Sequence, residues 1–72
     1  MERDLNKEVA GGLRANRAKA RVSQADLAKV CKVNQTTVSA WENRGGIGVE
    51  DAWRLADYYS ISLDDLVGRK AG

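Results

Sequence analysis

The sequence predicts an all-α fold, a compact arrangement of five helices, and three observations carry that prediction. None of the 72 residues is proline, so no stretch is barred from being helical. Apolar residues recur at spacings of three and four. Ser or Asn stands where helix caps are needed, ahead of each of three apolar-periodic runs.

Leu5, Val9 and Leu13 lie at i, i+4 and i+8 on a first helix that runs to about Ala20. Ser23-Gln24-Ala25-Asp26 is a Ser-x-x-acid capping box: the hydroxyl caps one backbone N–H and the acid reaches back to another. The second helix is expected to turn Ala25, Leu27, Ala28 and Cys31 inward. Asn34 is the expected N-cap of a third helix over 35–44, with Val38 and Trp41 inside. Gly45-Gly46-Ile47-Gly48 reads as a flexible connection. Val49-Glu50-Asp51 then places two acids where the helix dipole favours them, and Ala52, Leu55, Ala56 and Tyr59 form the stripe of a fourth helix. Ser62-Leu63-Asp64-Asp65 repeats the Ser-x-x-acid pattern before a fifth helix of one to two turns, with Leu63, Leu66 and Val67 apolar. No repeat, low-complexity tract or linker divides the chain, so residues 1–72 read as one small domain.

Composition removes several function classes. There is no His, which eliminates a His metal site, a His general base and a Ser-His-Asp triad. One cysteine, Cys31, excludes an intrachain disulfide and a multi-cysteine metal centre, and fits a reducing compartment. No apolar run reaches membrane-spanning length, and Met-Glu-Arg-Asp is no signal peptide. The expectation is a cytoplasmic protein that is not an enzyme and uses no metal or cofactor. Its charge is lopsided: residues 1–48 carry nine Lys or Arg against five acids, and residues 49–72 carry three against five. A basic half backed by an acidic half suits a polyanion on one face.

The second and third helices are joined by only Lys32-Val33 before Asn34, which forces a sharp crossing with the small Ala28 at the contact. With Gln35 at zero and about 100° per residue, Val38 and Trp41 fall at about −60° and −120°. Thr36, Ser39, Ala40 and Asn43 fall at about 100°, 40°, 140° and 80°. The outward face is therefore short, uncharged and hydrogen-bonding, which suits approach to base edges better than a solvated Lys/Glu face would.

These residues resemble the phage repressor/Cro type of helix-turn-helix regulator, the Xre family, with its lambda-repressor-like domain. The resemblance rests on Ser23-Gln24-Ala25-Asp26-Leu27-Ala28, on Val33-Asn34-Gln35-Thr36-Thr37-Val38-Ser39-Ala40-Trp41-Glu42-Asn43, and on Leu55-Ala56 through Ile61-Ser62-Leu63-Asp64-Asp65-Leu66. It spans residues 9 to 68, with the helix-turn-helix at about 23–44.

The resemblance implies a transcription regulator, a repressor, whose third helix enters the major groove of double-stranded DNA. It places Gln35, Thr36, Ser39 and Ala40 on base edges, with Gln35 suited to a bidentate pair with adenine and Thr36 or Ala40 to a thymine methyl. It places Ser23, Gln24, Asn43 and Arg44 at phosphates, with Gln24 bracing Gln35. Arg17 and Glu42 match a structural ion pair between the first and third helices. A homodimer on inverted-repeat half-sites about one helical turn apart is also implied. Two departures stand out: Lys32 occupies a turn position where the family has Gly, and the glycine loop 45–48 lacks the basic residues common in the family.

Other features have plainer readings. Cys31 is expected as a buried small apolar residue, and Trp53 and Tyr58 flank the core stripe as rim residues. Asp64 and Asp65 are cap and first-turn acids rather than a catalytic pair. The rival reading is a protein-interaction module, an antitoxin or adaptor on the same fold, favoured by the glycine loop and by Trp53.

Overall fold

The computed structural model describes residues 4–68. The Met-Glu-Arg run at the N-terminus and the basic pair Arg69–Lys70 lie outside the described residues. Five helices follow in order: α1 Leu5–Ala20, α2 Gln24–Cys31, α3 Gln35–Arg44, α4 Val49–Tyr59 and α5 Leu63–Leu66. Helix α1 packs on α3 and α5, α2 packs on α3 and α4, and α4 packs on α5.

The starts follow the predicted caps at Ser23 and Ser62, with two differences at Asp4 and Asn34. Ser23 Oγ accepts from Asp26 N while Asp26 returns a bond to Ser23 N, a complete capping box. The backbone bond from Ser23 is the first cause holding the Asp26 carboxyl below its usual pKa. Ser62 Oγ accepts from Asp65 N. Asp4, unforeseen as a cap, accepts from Lys7 N at the start of α1. Asn34 does hold the N-cap position of α3, but its side chain makes no capping bond, leaving early N–H groups of that helix open.

The helix ends share a device. Arg21, Lys32 and Ser60 all adopt the left-handed conformation, with φ of 57°, 56° and 57°. After each comes an apolar residue whose N–H reaches five residues back: Val22 to Arg17 O, Val33 to Ala28 O and Ile61 to Ala56 O. These are Schellman ends, and Val22, Val33 and Ile61 all pack against the core. Lys32 thus makes the tight turn without the glycine that would ordinarily carry it, at a cost of roughly 1 kcal/mol.

Leu13, Leu27, Val38, Leu55 and Leu66 form the centre of the core, each 2% exposed or less. Two predicted core residues are corrected. Leu5 is 63% exposed, so the stripe that carries Val9 and Leu13 inward does not extend to the first turn of α1. Ala25 is exposed although helical spacing sets it one turn from buried Ala28, so the covered part of that face begins after the first turn of α2. Ala10 and Gly12 join Leu13 inside instead.

Two glycines set distances between helices. A Cβ on Gly12 would lie 2.4 Å from the carbonyl carbon of Val67, so only glycine lets α1 meet the chain after α5. Gly45, at φ 73°, is buried, and a Cβ there would lie 2.6 Å from Asn6 O. The segment 45–48 reads in the sequence as a flexible connection, yet its first residue is a packed contact with the start of α1. Asn16 adds a polar latch, its Nδ2 donating to the carbonyls of Gly12, Asp65 and Leu66.

Candidate nucleic-acid interface

The left-handed Lys32 sets the start of α3 beside the start of α2. At that junction the surface consists of Ser23, Gln24, Gln35 and Thr36; Gln24 is half-buried and the other three are exposed. The first N–H groups of a helix have no partner within it, and α3, which lacks a side-chain cap, presents open donors beside the start of α2, where Ser23 caps Asp26 N. Such helix starts attract anions through these donors and the helix dipole.

Beneath this surface lies a polar cluster organised on one carboxylate. Glu42 is 2% exposed, the one buried charged residue among the described residues. Arg17 donates to it twice, Nε to Oε2 at 2.6 Å and Nη2 to Oε1 at 3.1 Å. This bonding raises the Arg17 pKa above its ordinary value, against the opposing effect of burial. Arg17 Nη1 also donates to Val22 O, and Arg14 donates to the backbone carbonyl of Glu42. Gln24 Nε2 donates to Glu42 Oε1 at 3.1 Å, and Gln35 Nε2 reaches Gln24 Oε1 at 3.5 Å. Arg17 and Glu42, paired in the sequence reading, are therefore in direct contact. Sequence reasoning missed the roles of Arg14 and of Gln24 toward Glu42, because neither partner lies within a helical turn of the other.

The rest of the α3 face is less open. Ser39 and Ala40 are half-buried. Asn43 folds back, its Nδ2 donating to Ser39 O at 2.9 Å and approaching Ser39 Oγ at 3.3 Å. These two predicted DNA contacts are thus bonded to each other in the free chain, while Arg44 stands exposed at the helix end.

Charge follows this geometry. Arg14 and Arg17 are engaged at Glu42, whereas Lys19, Arg21, Lys29 and Lys32 are exposed. On the opposite half, Arg54 pairs with Asp51 at 3.0 Å and with Glu50 at 3.9 Å, offsetting the acids at the start of α4. Cys31 is buried, and burial raises its thiol pKa, as an inert apolar-like residue requires. The Tyr59 hydroxyl is buried without a partner and is pushed up to about 12, chiefly by burial. Among the described residues no cluster of His, Cys, Asp or Glu could hold a metal, and no helix is long and apolar enough to cross a membrane.

Comparison with known proteins agrees with this arrangement. The search of curated proteins found no match. In a solved structure described as the hypothetical transcription factor NHTF from Neisseria, 73% of that chain aligns with 89% of this one, at 28% identity and a TM-score of 0.77. The family profile described as helix-turn-helix matches residues 13–66, from the middle of α1 to the end of α5. The chain therefore belongs to the helix-turn-helix family of the Cro/C1 type, DNA-binding transcription regulators rather than enzymes.

Proposed function

We propose that residues 1–72 act as one cytoplasmic, sequence-specific domain that inserts α3 into the major groove of double-stranded DNA and represses transcription by occupying its operator. One observation carries this reading: the uncapped leading turn of α3 exposes uncharged hydrogen-bonding side chains, Gln35 and Thr36, beside the start of α2. Side chains of that kind can meet base edges without a charge to desolvate. Gln35, Thr36, Ser39 and Ala40 take the base edges, and Ser23, Gln24, Asn43 and Arg44 the phosphates on either side. Asn43 and Ser39 exchange their mutual bond for contacts with DNA on binding.

So few base contacts give limited affinity, so a homodimer on an inverted repeat is part of the proposal, with half-sites about one helical turn apart. A second reading has one observation behind it. Val49 and Trp53, one turn apart on α4, are 69% and 58% exposed, which fits a protein partner and an antitoxin or adaptor role.

Selection of duplexes from a random-sequence pool separates these readings. Enrichment of an inverted repeat with centres about ten base pairs apart is the expected result. Enrichment of a single half-site would remove the dimer and keep the base reading. No enrichment at low salt would replace DNA reading with the protein-partner reading. A reporter carrying the selected site at its promoter then tests repression, with lower expression expected when the chain is present.

A further inference from the structure

We propose that the exposed face of α4 built on Val49 and Trp53 docks a basic amphipathic helix of another protein, its apolar side on the tryptophan and its Lys or Arg residues over the acids alongside. This names the chemistry of the protein partner raised above. It rests on that reading of Val49 and Trp53 and is independent of what α3 binds.

The neighbours of a residue on a helix surface stand three and four positions away. Around Trp53 these are Val49 and Ala56 on one side, at about 40° and 60°, and Asp57 and Glu50 on the other, at about the same angles. Ala56 is buried, so the first side borders the core; Glu50 and Asp57 are exposed, so the second borders solvent. Val49 and Trp53, 69% and 58% exposed, thus form an apolar row with an acidic margin. Little within the chain neutralises that margin. Arg54, the one cation on α4, is bonded to Asp51 at 3.0 Å and stands 3.9 Å from Glu50. Asp57 has no side-chain partner among the described residues. From Val49 to Gly68 five acids stand against that single base, and Asp64 and Asp65 on the adjoining α5 are exposed as well.

This charge selects the occupant. A second copy would bring an equal acidic charge to the contact, and a nucleic-acid backbone would be repelled by the same carboxylates. A Lys or Arg is attracted both to the carboxylates and to the face of the indole ring. Val49 and Trp53 are four residues apart, the spacing of the ridges along which two helices interlock. An apolar stripe edged with basic residues therefore meets both parts of the surface at once.

The test titrates the whole chain, at low salt and without DNA, with synthetic amphipathic helices of about 18 residues, some five turns. All carry the same leucine face, and the polar face is Lys, Gln or Glu. Trp53 reports binding by its fluorescence, because Trp41 is already buried. The Lys helix should shift the emission to shorter wavelength and bind roughly tenfold or more tighter than the Gln helix, with the Glu helix weakest. Followed by anisotropy of a labelled peptide, Trp53→Ser should weaken binding roughly 30-fold or more. Glu50→Gln with Asp57→Asn should remove most of the preference for Lys over Gln while leaving the melting curve nearly unchanged. If Lys and Gln helices bind equally, the basic chemistry is wrong although a protein partner survives. If Trp53→Ser leaves binding intact, the peptide sits elsewhere and the docking face is overturned. If no peptide shifts Trp53 and sedimentation shows a dimer that Trp53→Ser dissociates, a second copy covers the face and the proposal falls. None of these outcomes bears on whether α3 reads DNA, which the duplex selection decides separately.

Discussion

The two halves of this molecule are held by different chemistry. Where α1 meets α3, the contact is polar and directional: Arg14 and Arg17 converge on Glu42, and Gln24 continues the bonding to the surface. Where α2, α4 and α5 meet, Ala28, Cys31, Ala52, Leu55 and Leu66 pack without direction. An apolar contact tolerates small rotations at little cost, because burial depends on area rather than on angle. A bidentate ion pair does not, because its bonds weaken steeply as they bend. The polar half is the one next to the proposed DNA face, where orientation matters. The apolar half supplies stability.

The sharpest way to break this comparison is to damage each half and read stability and base preference separately. Leu55→Ala, at a site 1% exposed, should lose about 3–4 kcal/mol. In thermal melts followed by circular dichroism that is a large drop for so small a chain, and the surviving folded fraction should keep its base preference. Arg17→Met should lose about 3 kcal/mol, since it leaves Glu42 charged and enclosed. Here base preference at the Gln35 position should relax as well; equal preference in both variants would erase the distinction between the halves.

Gly45→Ala tests whether the polar junction depends on close approach of backbone. The new Cβ meets Asn6 O at a backbone conformation that L residues avoid, and about 2 kcal/mol should be lost. Gly46, also at positive φ but with open space around it, should be less sensitive. Tyr59→Phe should raise stability by about 1 kcal/mol, by deleting a buried hydroxyl that has no partner. Its pH dependence has a definite sign. Tyr59 titrates near 12 when folded and near the ordinary 10 when unfolded, so the unfolded chain loses this proton first. Wild-type stability should therefore fall as pH rises from about 10 toward 12, and denaturant titrations should show less of that fall in the variant. The smallest effect is expected from Lys32→Gly, a gain of roughly 0.5–1 kcal/mol from relief of the left-handed lysine.

Much of the helical framework is legible in local residue patterns. The Ser23–Asp26 box and Ser62 mark helix starts because a cap bonds groups only three residues away. The α4 stripe of Ala52, Leu55 and Ala56 is legible because helical spacing alone brings those side chains to one face. Periodicity fails for Ala25 and Leu5, since it says which residues share a face but not whether another helix covers it. Of the candidate site, the outward face of α3 follows from the same 100° arithmetic. The Ser39–Asn43 bond joins residues i and i+4, but nothing local indicates that exposed Asn43 folds back on its own helix rather than reaching outward.

The sequence by itself determined the number of helices, most of their caps, the short connection between α2 and α3 and the family to which they belong. Each of these depends on residues within about a turn of one another or on a motif read in order. Only the tertiary structure decided that Gly12 and Gly45 are contact points, that Asn16 ties α1 to the end of α5, and that Glu42 joins Arg17 to Gln24. Those partners are separated by many residues in the chain, and whether they meet depends on the angles at which the helices cross. These angles come from the packing of the whole core at once, which no single stretch of sequence encodes.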